Sequence, residues 1–212
     1  MAQRRHHYEC AFEHHLRESR IPYVAVNEAR KALLPPKAHL RTAASNEDPQ
    51  TLKNFDFVIY GDTPNLLVEI KGRKLPQLRD RKDGSLPRPR LESWVTMDDI
   101  ESLTRWQKLF GPGYEAVFVF VYWCSQTPPD GLFGELIECQ GRWYTLRAIT
   151  LSDYTSAMRV RSPRWRTVHL LSADFDRLAG AFAPSNLDPD PSLVPVFDPF
   201  NTDNRTLGEV FA

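Results

Sequence analysis

No apolar run in the sequence exceeds nine residues, the longest being Ala116 to Cys124, whereas a helix crossing a bilayer needs about 20. A membrane span is not expected. Cysteine is scarce, with Cys10, Cys124 and Cys139 far apart and odd in number, which argues against a disulfide framework or a Cys-x-x-Cys metal knuckle. Reduced thiols and a cytoplasmic location follow as expectations. Charge of one sign is not in excess, since Lys plus Arg and Asp plus Glu number 27 each. No overall field draws the chain to polyanions, and any basic surface must be local. Arg4 and Arg5 resemble the start of a signal peptide, but His6, His7, Glu9, Glu13, His14 and His15 fill the place of an apolar stretch, so export is not expected. There is no Gly-x-Ser-x-Gly elbow, phosphate-binding Walker loop or dinucleotide Gly fingerprint, and acyl transfer, nucleotide hydrolysis and hydride transfer lack support. No internal repeat occurs. His6, Cys10 and His14 recur at spacing four, but no fourth zinc ligand is evident.

What is present is an ordinary globular composition, 42% hydrophobic and 25% charged over 212 residues, enough for one core. Tyr8, Phe12 and Leu16 at spacing four predict an apolar stripe on a helix over residues 5–20 that Pro22 ends. A short strand at 23–26, a helix from Asn27 to Leu34 and a loop over 37–53 follow. Residues 54–60 and 66–71 read as strands joined by Gly61-Asp62-Thr63-Pro64 into a hairpin. Between Gly72 and Val95 there is no periodicity, and Pro76, Gly84, Pro87 and Pro89 interrupt the segment. Thr96 with Asp99 three residues later predicts a capping box on a helix reaching Phe110. Residues 115–123 are apolar on both faces, as an interior strand requires, so strand, helix and strand suggest a parallel crossover. A second hairpin over 133–139 and 142–149 turns at Gln140-Gly141, Ser172 caps a helix to Phe182, and Pro184 onward is an extended acidic tail.

The first hairpin carries the chemistry. A four-residue loop at 61–64 makes Tyr60 face Asn65, and the same register sets Asp56 opposite Glu69. Alternation gives one apolar face, Phe55, Phe57, Ile59, Leu66, Val68 and Ile70, while Asp56, Val58, Tyr60, Leu67, Glu69 and Lys71 share the other. Two carboxylates across a ladder repel unless a cation lies between them or one takes a proton. A hard divalent ion such as Mg2+ takes one or two carboxylates, a backbone carbonyl and water, and Asp56, Glu69 and the carbonyl of Ile70 can supply these. Lys71 would bring an ammonium beside metal-bound water and developing phosphorane charge. A solvated sheet face with simple ion pairs explains an arbitrary Asp and Glu-x-Lys as well.

Phe55-Asp56 and Val68-Glu69-Ile70-Lys71, preceded by a Glu-bearing helix and followed by a helix and a buried strand, resemble the PD-(D/E)xK nuclease superfamily, in particular archaeal Holliday-junction resolvases. His7-Tyr8-Glu9-Cys10-Ala11-Phe12-Glu13 is similar to the signature of the bacterial HYExAFE family. The superfamily resemblance covers residues 5–124. It implies an α/β restriction-endonuclease-like core with a central mixed four-stranded sheet flanked by helices, in the order αβββαβ. A C-terminal hairpin and helix extension over 125–182 and a Pro-rich acidic tail over 183–212 would follow. It further implies hydrolysis of phosphodiester bonds in nucleic acid, DNA foremost, with Mg2+ or Mn2+ held by Asp56, Glu69, the Ile70 carbonyl and Glu9. Lys71 would position water or act as base, and Gln107 would orient substrate. Homodimerisation, as in resolvases, stays open. Phe55 stands where the superfamily often has Pro.

Helix geometry prefers Glu9 to Glu13: taking Glu9 as origin, Leu16 falls at about −20°, Phe12 at about −60° and Glu13 at about +40°. Glu9 thus borders the buried stripe. Gln107 projects between Ile100 and Leu103 and needs a partner, which a core backbone group would satisfy as well as a substrate. From Lys71 to Arg90 the basic residues Lys71, Arg73, Lys74, Arg79, Arg81, Lys82, Arg88 and Arg90 face only Asp80 and Asp83. Such a stretch either clamps phosphates or is a solvated loop. Arg159, Arg161, Arg164 and Arg166 around Trp165 can bind phosphate and stack a base, or dock the acidic tail. A catalytically inactive nucleic-acid-binding module and a protein-interaction scaffold are the rival readings.

Overall fold

A computed structural model describes residues 3–26, 53–61, 64–75, 90–124 and 136–182. The expected helix at 27–34, the basic residues Arg79, Arg81, Lys82 and Arg88, and the tail lie outside these residues. The elements are α1 (Gln3–Glu18), β1 (Tyr23–Ala25), β2 (Phe57–Ile59), β3 (Asn65–Lys74), β4 (Val95–Thr96), α2 (Met97–Phe110), β5 (Tyr114–Cys124), β6 (Ile137–Cys139), β7 (Arg142–Thr150), α3 (Leu151–Ala157), β8 (Arg159–Ser162), β9 (Thr167–His169) and α4 (Ser172–Leu178).

The main sheet has six strands, in the order β1-β2-β3-β5-β7-β6. The four strands expected of the core are β1, β2, β3 and β5, and the later hairpin widens the sheet by pairing β7 with β5. β5 is thereby interior, with β3 and β7 on its two edges and a core on each of its apolar faces. β3 and β5 are parallel from Asn65↔Tyr114 to Lys74↔Trp123, with α2 between them in the chain. Pairing with β5 carries β3 on through Gly72, Arg73 and Lys74, where the sequence shows no alternation. The sequence also gave no sign of the small second sheet, β4-β9-β8.

Two cores lie on the two sheet faces. Val117, Val119 and Val121 join Val68, Ile70, Phe57 and Ile59 beneath Ala11, Phe12 and Leu16 of α1. Ala116, Phe118, Phe120 and Tyr122 join Leu67 and Val58 beneath Ile100 and Leu103 of α2, Tyr154 of α3 and Phe175 of α4. The capping box on α2 is formed, the Thr96 hydroxyl accepting from the Asp99 N–H and the Asp99 carboxylate from the Thr96 N–H. Gln140 and Gly141 both have positive φ, 52° and 70°, as a two-residue hairpin turn demands. α4 departs from expectation, with Leu171 rather than Ser172 at its N-cap and no side-chain cap.

Gly72 fixes where α1 can lie. The ring of Tyr8 packs directly on this glycine, and a methyl group there would overlap its base. Gly72→Ala is therefore expected to destabilise the protein by about 1–3 kcal/mol through overpacking, measured by denaturant unfolding. A Gly72→Ala protein as stable as wild type would show that α1 moves freely over β3.

Candidate active site

β3 sets Leu67, Glu69, Lys71 and Arg73 on one face at alternate positions, and Leu67 packs with α2 residues there. Lys71 and Glu69 consequently meet the N-terminal turn of α2. The Lys71 Nζ donates to Glu69 Oε1 at 2.7 Å and lies 2.7 Å from Asp99 Oδ2. Lys53 completes the group, donating to Glu69 Oε1 at 3.1 Å and to Asp99 Oδ1. Two ammonium groups and two carboxylates thus alternate in a closed ring. Asp99 is 4% exposed and Lys71 11%, whereas Lys53 is half exposed. Burial opposes charge on Asp99, but Lys71 and Lys53 outweigh it and hold its carboxyl well below the usual range. Burial likewise opposes the charge on Lys53, and Glu69 and Asp99 overcome it, raising Lys53 above the ordinary lysine range.

Asp56 lies at the end of the β2–β3 ladder. The pairs Phe57↔Val68, Val58↔Leu67 and Ile59↔Leu66 have the register expected from the loop. Beyond Phe57 the alternation fails. Asp56 N–H also reaches the Val68 carbonyl, at 2.9 Å, so two consecutive residues meet one, in the manner of a β-bulge. Phe55 is accordingly reset onto the α2 side, against Trp106 and Phe110, and does not share the face of Phe57 as expected. Asp56 Oδ2 accepts the Ile70 N–H at 2.7 Å, so the carboxylate turns back along β3.

Burial, then the Glu69 charge and, more weakly, the Glu9 charge, raise Asp56 to about 7, against the Ile70 N–H and Lys71, which favour ionisation. α1 thus brings Glu9 into the field of Asp56. Glu13 is engaged elsewhere, its Oε1 accepting from Arg17 at 2.6 Å and from the Tyr23 hydroxyl at 2.8 Å. A carboxyl raised in the folded state adds stability that is complete below about pH 4 and is lost as pH rises through about 7. Asp56→Asn, which can still accept the Ile70 N–H, is therefore expected to stabilise the metal-free protein at pH 8 by about 1–2 kcal/mol. Little change is expected at pH 4.5. Thermal unfolding at the two pH values reads this, and equal effects would contradict the repulsion.

Gln107 does not join the group. Its Oε1 accepts the Ala116 N–H at 2.9 Å and ties α2 to the start of β5, the backbone partner that its place among apolar neighbours required. Arg73 is likewise mostly internal, donating to the carbonyls of Gly72, at 2.8 Å, and Trp94. Arg166 pairs with Asp98 at 2.7 Å and Glu101 at 2.8 Å on α2, so two carboxylates of the described body already engage it. Arg164 lies over the exposed Trp165 ring, and Arg161 over Trp94. Among the described residues, no three of His, Cys, Asp and Glu are already arranged to hold a metal ion.

Sequence reasoning found Asp99 only as a cap and overlooked Lys53. The second role of Asp99 exists because the β3–α2–β5 crossover lays its capping oxygen, Oδ2, on Lys71 and leaves Oδ1 to Lys53. Lys53 offers no local signal, since its position depends on the Trp106 indole N–H, which donates to the Lys53 carbonyl at 2.8 Å.

No family model matches the chain, and no curated protein matches it. The HYExAFE resemblance of residues 7–13 is thus not matched by a family model. Among solved structures, the chain is similar to a Holliday junction resolvase from Archaeoglobus fulgidus, an archaeal hyperthermophile, at 12% identity. The likeness covers 81% of this chain and 92% of that one, with a TM-score of 0.41.

Proposed function

We propose that the protein is a divalent-metal-dependent nuclease that hydrolyses phosphodiester bonds in DNA. The observation that carries this reading is the gathering of acidic side chains at one end of β3: the buried Asp56, held by the Ile70 N–H, lies in the field of Glu69 and Glu9, whose repulsion Lys71 offsets only in part. A cation beside Asp56 would remove that repulsion. The donor set suits Mg2+ or Mn2+, which take carboxylate and carbonyl oxygens. Asp56, Glu69, the Ile70 carbonyl and Glu9 would hold the ion. When bound, it would lower the pKa of a water and polarise the phosphate.

The remaining work falls to the chain itself. Lys71, braced between Glu69 and Asp99, is held as a donor beside the proposed ligands and would orient the attacking water and offset charge on the phosphate. Ile70 holds Asp56 in place through its N–H. Lys53 neutralises Asp99 and Glu69 from the solvent side. The substrate-orienting role expected of Gln107 is not part of this reading.

Duplex, single-stranded and four-way-junction DNA, with RNA beside them, incubated with Mg2+ or Mn2+ and with EDTA, tests the proposal. Cleavage of DNA that EDTA abolishes is expected. A second reading is favoured by the closed ring, which neutralises Glu69 and Lys71 without any metal and would serve an inactive nucleic-acid-binding module as an internal brace. Salt-sensitive binding with no cleavage of any substrate would overturn hydrolysis in its favour.

A further inference from the structure

Beyond Lys71, the end of β3 borders a cleft of about 810 Å³ whose walls include Lys74, Arg90, Glu92, Trp94, Arg161 and His169. Three permanent cations thus face one carboxylate, in a chain with no net charge. Trp94 is the centre of the arrangement. The guanidinium carbon of Arg73 lies 3.9 Å from its ring centroid and that of Arg161 5.2 Å, while its indole N–H donates to Glu92 at 3.1 Å. The charge of Arg161 acts against that of Arg73, which burial already disfavours. Arg73 Nε lies 3.9 Å from a Glu92 carboxylate oxygen, too far for a hydrogen bond, so it and His169 Nδ1 are buried without a hydrogen-bond partner among the described residues. One carboxylate thus offsets two arginines over one aromatic ring, and a further anion would relieve the rest.

We infer that this cleft binds a nucleotide, its phosphate on Arg161, Arg90 and Lys74 and its base against the Trp94–arginine platform. Arginine and indole planes stack bases without regard to sequence, and the volume exceeds what a lone phosphate needs. Arg73 follows Lys71 by two residues on one strand face, roughly 6.6 Å, so the cleft continues the line of the proposed active site. β8, β9 and the segment before β4 build most of it. The inference extends the nuclease reading by placing a strand's neighbouring nucleotide here, but the binding itself needs no metal and no hydrolysis.

Titration of the full chain in EDTA with thymidine 5′-monophosphate and with a five-nucleotide oligothymidylate, followed by tryptophan fluorescence and calorimetry, tests it. Saturable binding is expected, weakened about tenfold or more by Arg161→Gln and by Trp94→Leu. Arg161→Gln alters an exposed side chain, so an unchanged melting temperature is expected alongside. Mononucleotide affinity equal to that of the oligomer identifies a free nucleotide as the source, whereas much tighter oligomer binding identifies a strand. No saturable binding, or Arg161→Gln binding as wild type does, overturns the site. Intact cleavage with no binding here removes the cleft alone, and binding here without cleavage removes hydrolysis alone.

Discussion

Glu69→Gln is expected to lower metal-dependent cleavage by about a thousandfold, and Lys71→Ala by a comparable factor. The two act through different losses. Glutamine keeps the shape of Glu69 and can accept from one lysine, but it removes the negative charge that would hold a divalent ion near Asp56. Alanine leaves the carboxylates in place and removes the donor beside the phosphate. Loss of metal affinity is expected for Glu69→Gln, so that raised Mn2+ restores part of its rate, whereas no metal concentration restores Lys71→Ala. Single-turnover cleavage across a metal titration, with circular dichroism confirming the fold, distinguishes them. Either variant cleaving at the wild-type rate would place the chemistry elsewhere.

Asp99→Ala is expected to be the most destabilising of the substitutions considered, by about 3–5 kcal/mol. Asp99 closes the ion ring from a nearly inaccessible position, and its removal leaves the largely covered Lys71 with Glu69 alone, a carboxylate it shares with Lys53. The carboxylate half of the capping box, which accepts the Thr96 N–H, is lost as well, at about 1 kcal/mol, while the backbone N–H at 99 can still donate to the Thr96 hydroxyl. Thr96→Ala removes that other half and leaves the ring, so its cost gives the scale of a cap half, and the excess for Asp99→Ala over it reports the ionic part. The sign with pH is fixed by the lowered Asp99 carboxyl. Its contribution is full above its ordinary value, near 4, and is lost as pH falls below it. Wild type and Asp99→Asn should therefore converge in stability on acidification, read from denaturant midpoints between pH 2.5 and 7. A constant difference across that range would show that the ring contributes through packing rather than charge.

Local pattern was enough wherever a residue's role is set by its neighbours in the chain. The loop length dictated the Phe57↔Val68 register, Thr96 and Asp99 announced the start of α2, Gln140-Gly141 announced a turn, and the two apolar faces of residues 117–121 announced an interior strand. Reading stopped where tertiary contact decides. Asp56 was expected to stand across from Glu69, yet an irregular hydrogen bond to Val68 turns it toward the Ile70 N–H and moves Phe55 to the other face. Gln107 was a candidate because a polar group among apolar neighbours needs a partner, and alternation cannot tell a backbone amide from a ligand. β8 and β9 are short, and mostly exposed along β8, so they lack the apolar alternation that would mark them.

The parallel pairing of β3 with β5 bears on the order in which the chain folds. A hairpin can close early, but parallel strands need an intervening crossover before any of their bonds form, and such distant pairings are slow. Here that crossover contains α2. The event that zips β3 to β5 is thus the same one that delivers Asp99 to Lys71, so this lysine gains its second carboxylate in the step that covers it. A chain trapped before this step would hold an open β3 edge and a Lys71 paired on its own strand with Glu69, and the crossover that closes the edge also completes the charge pairing.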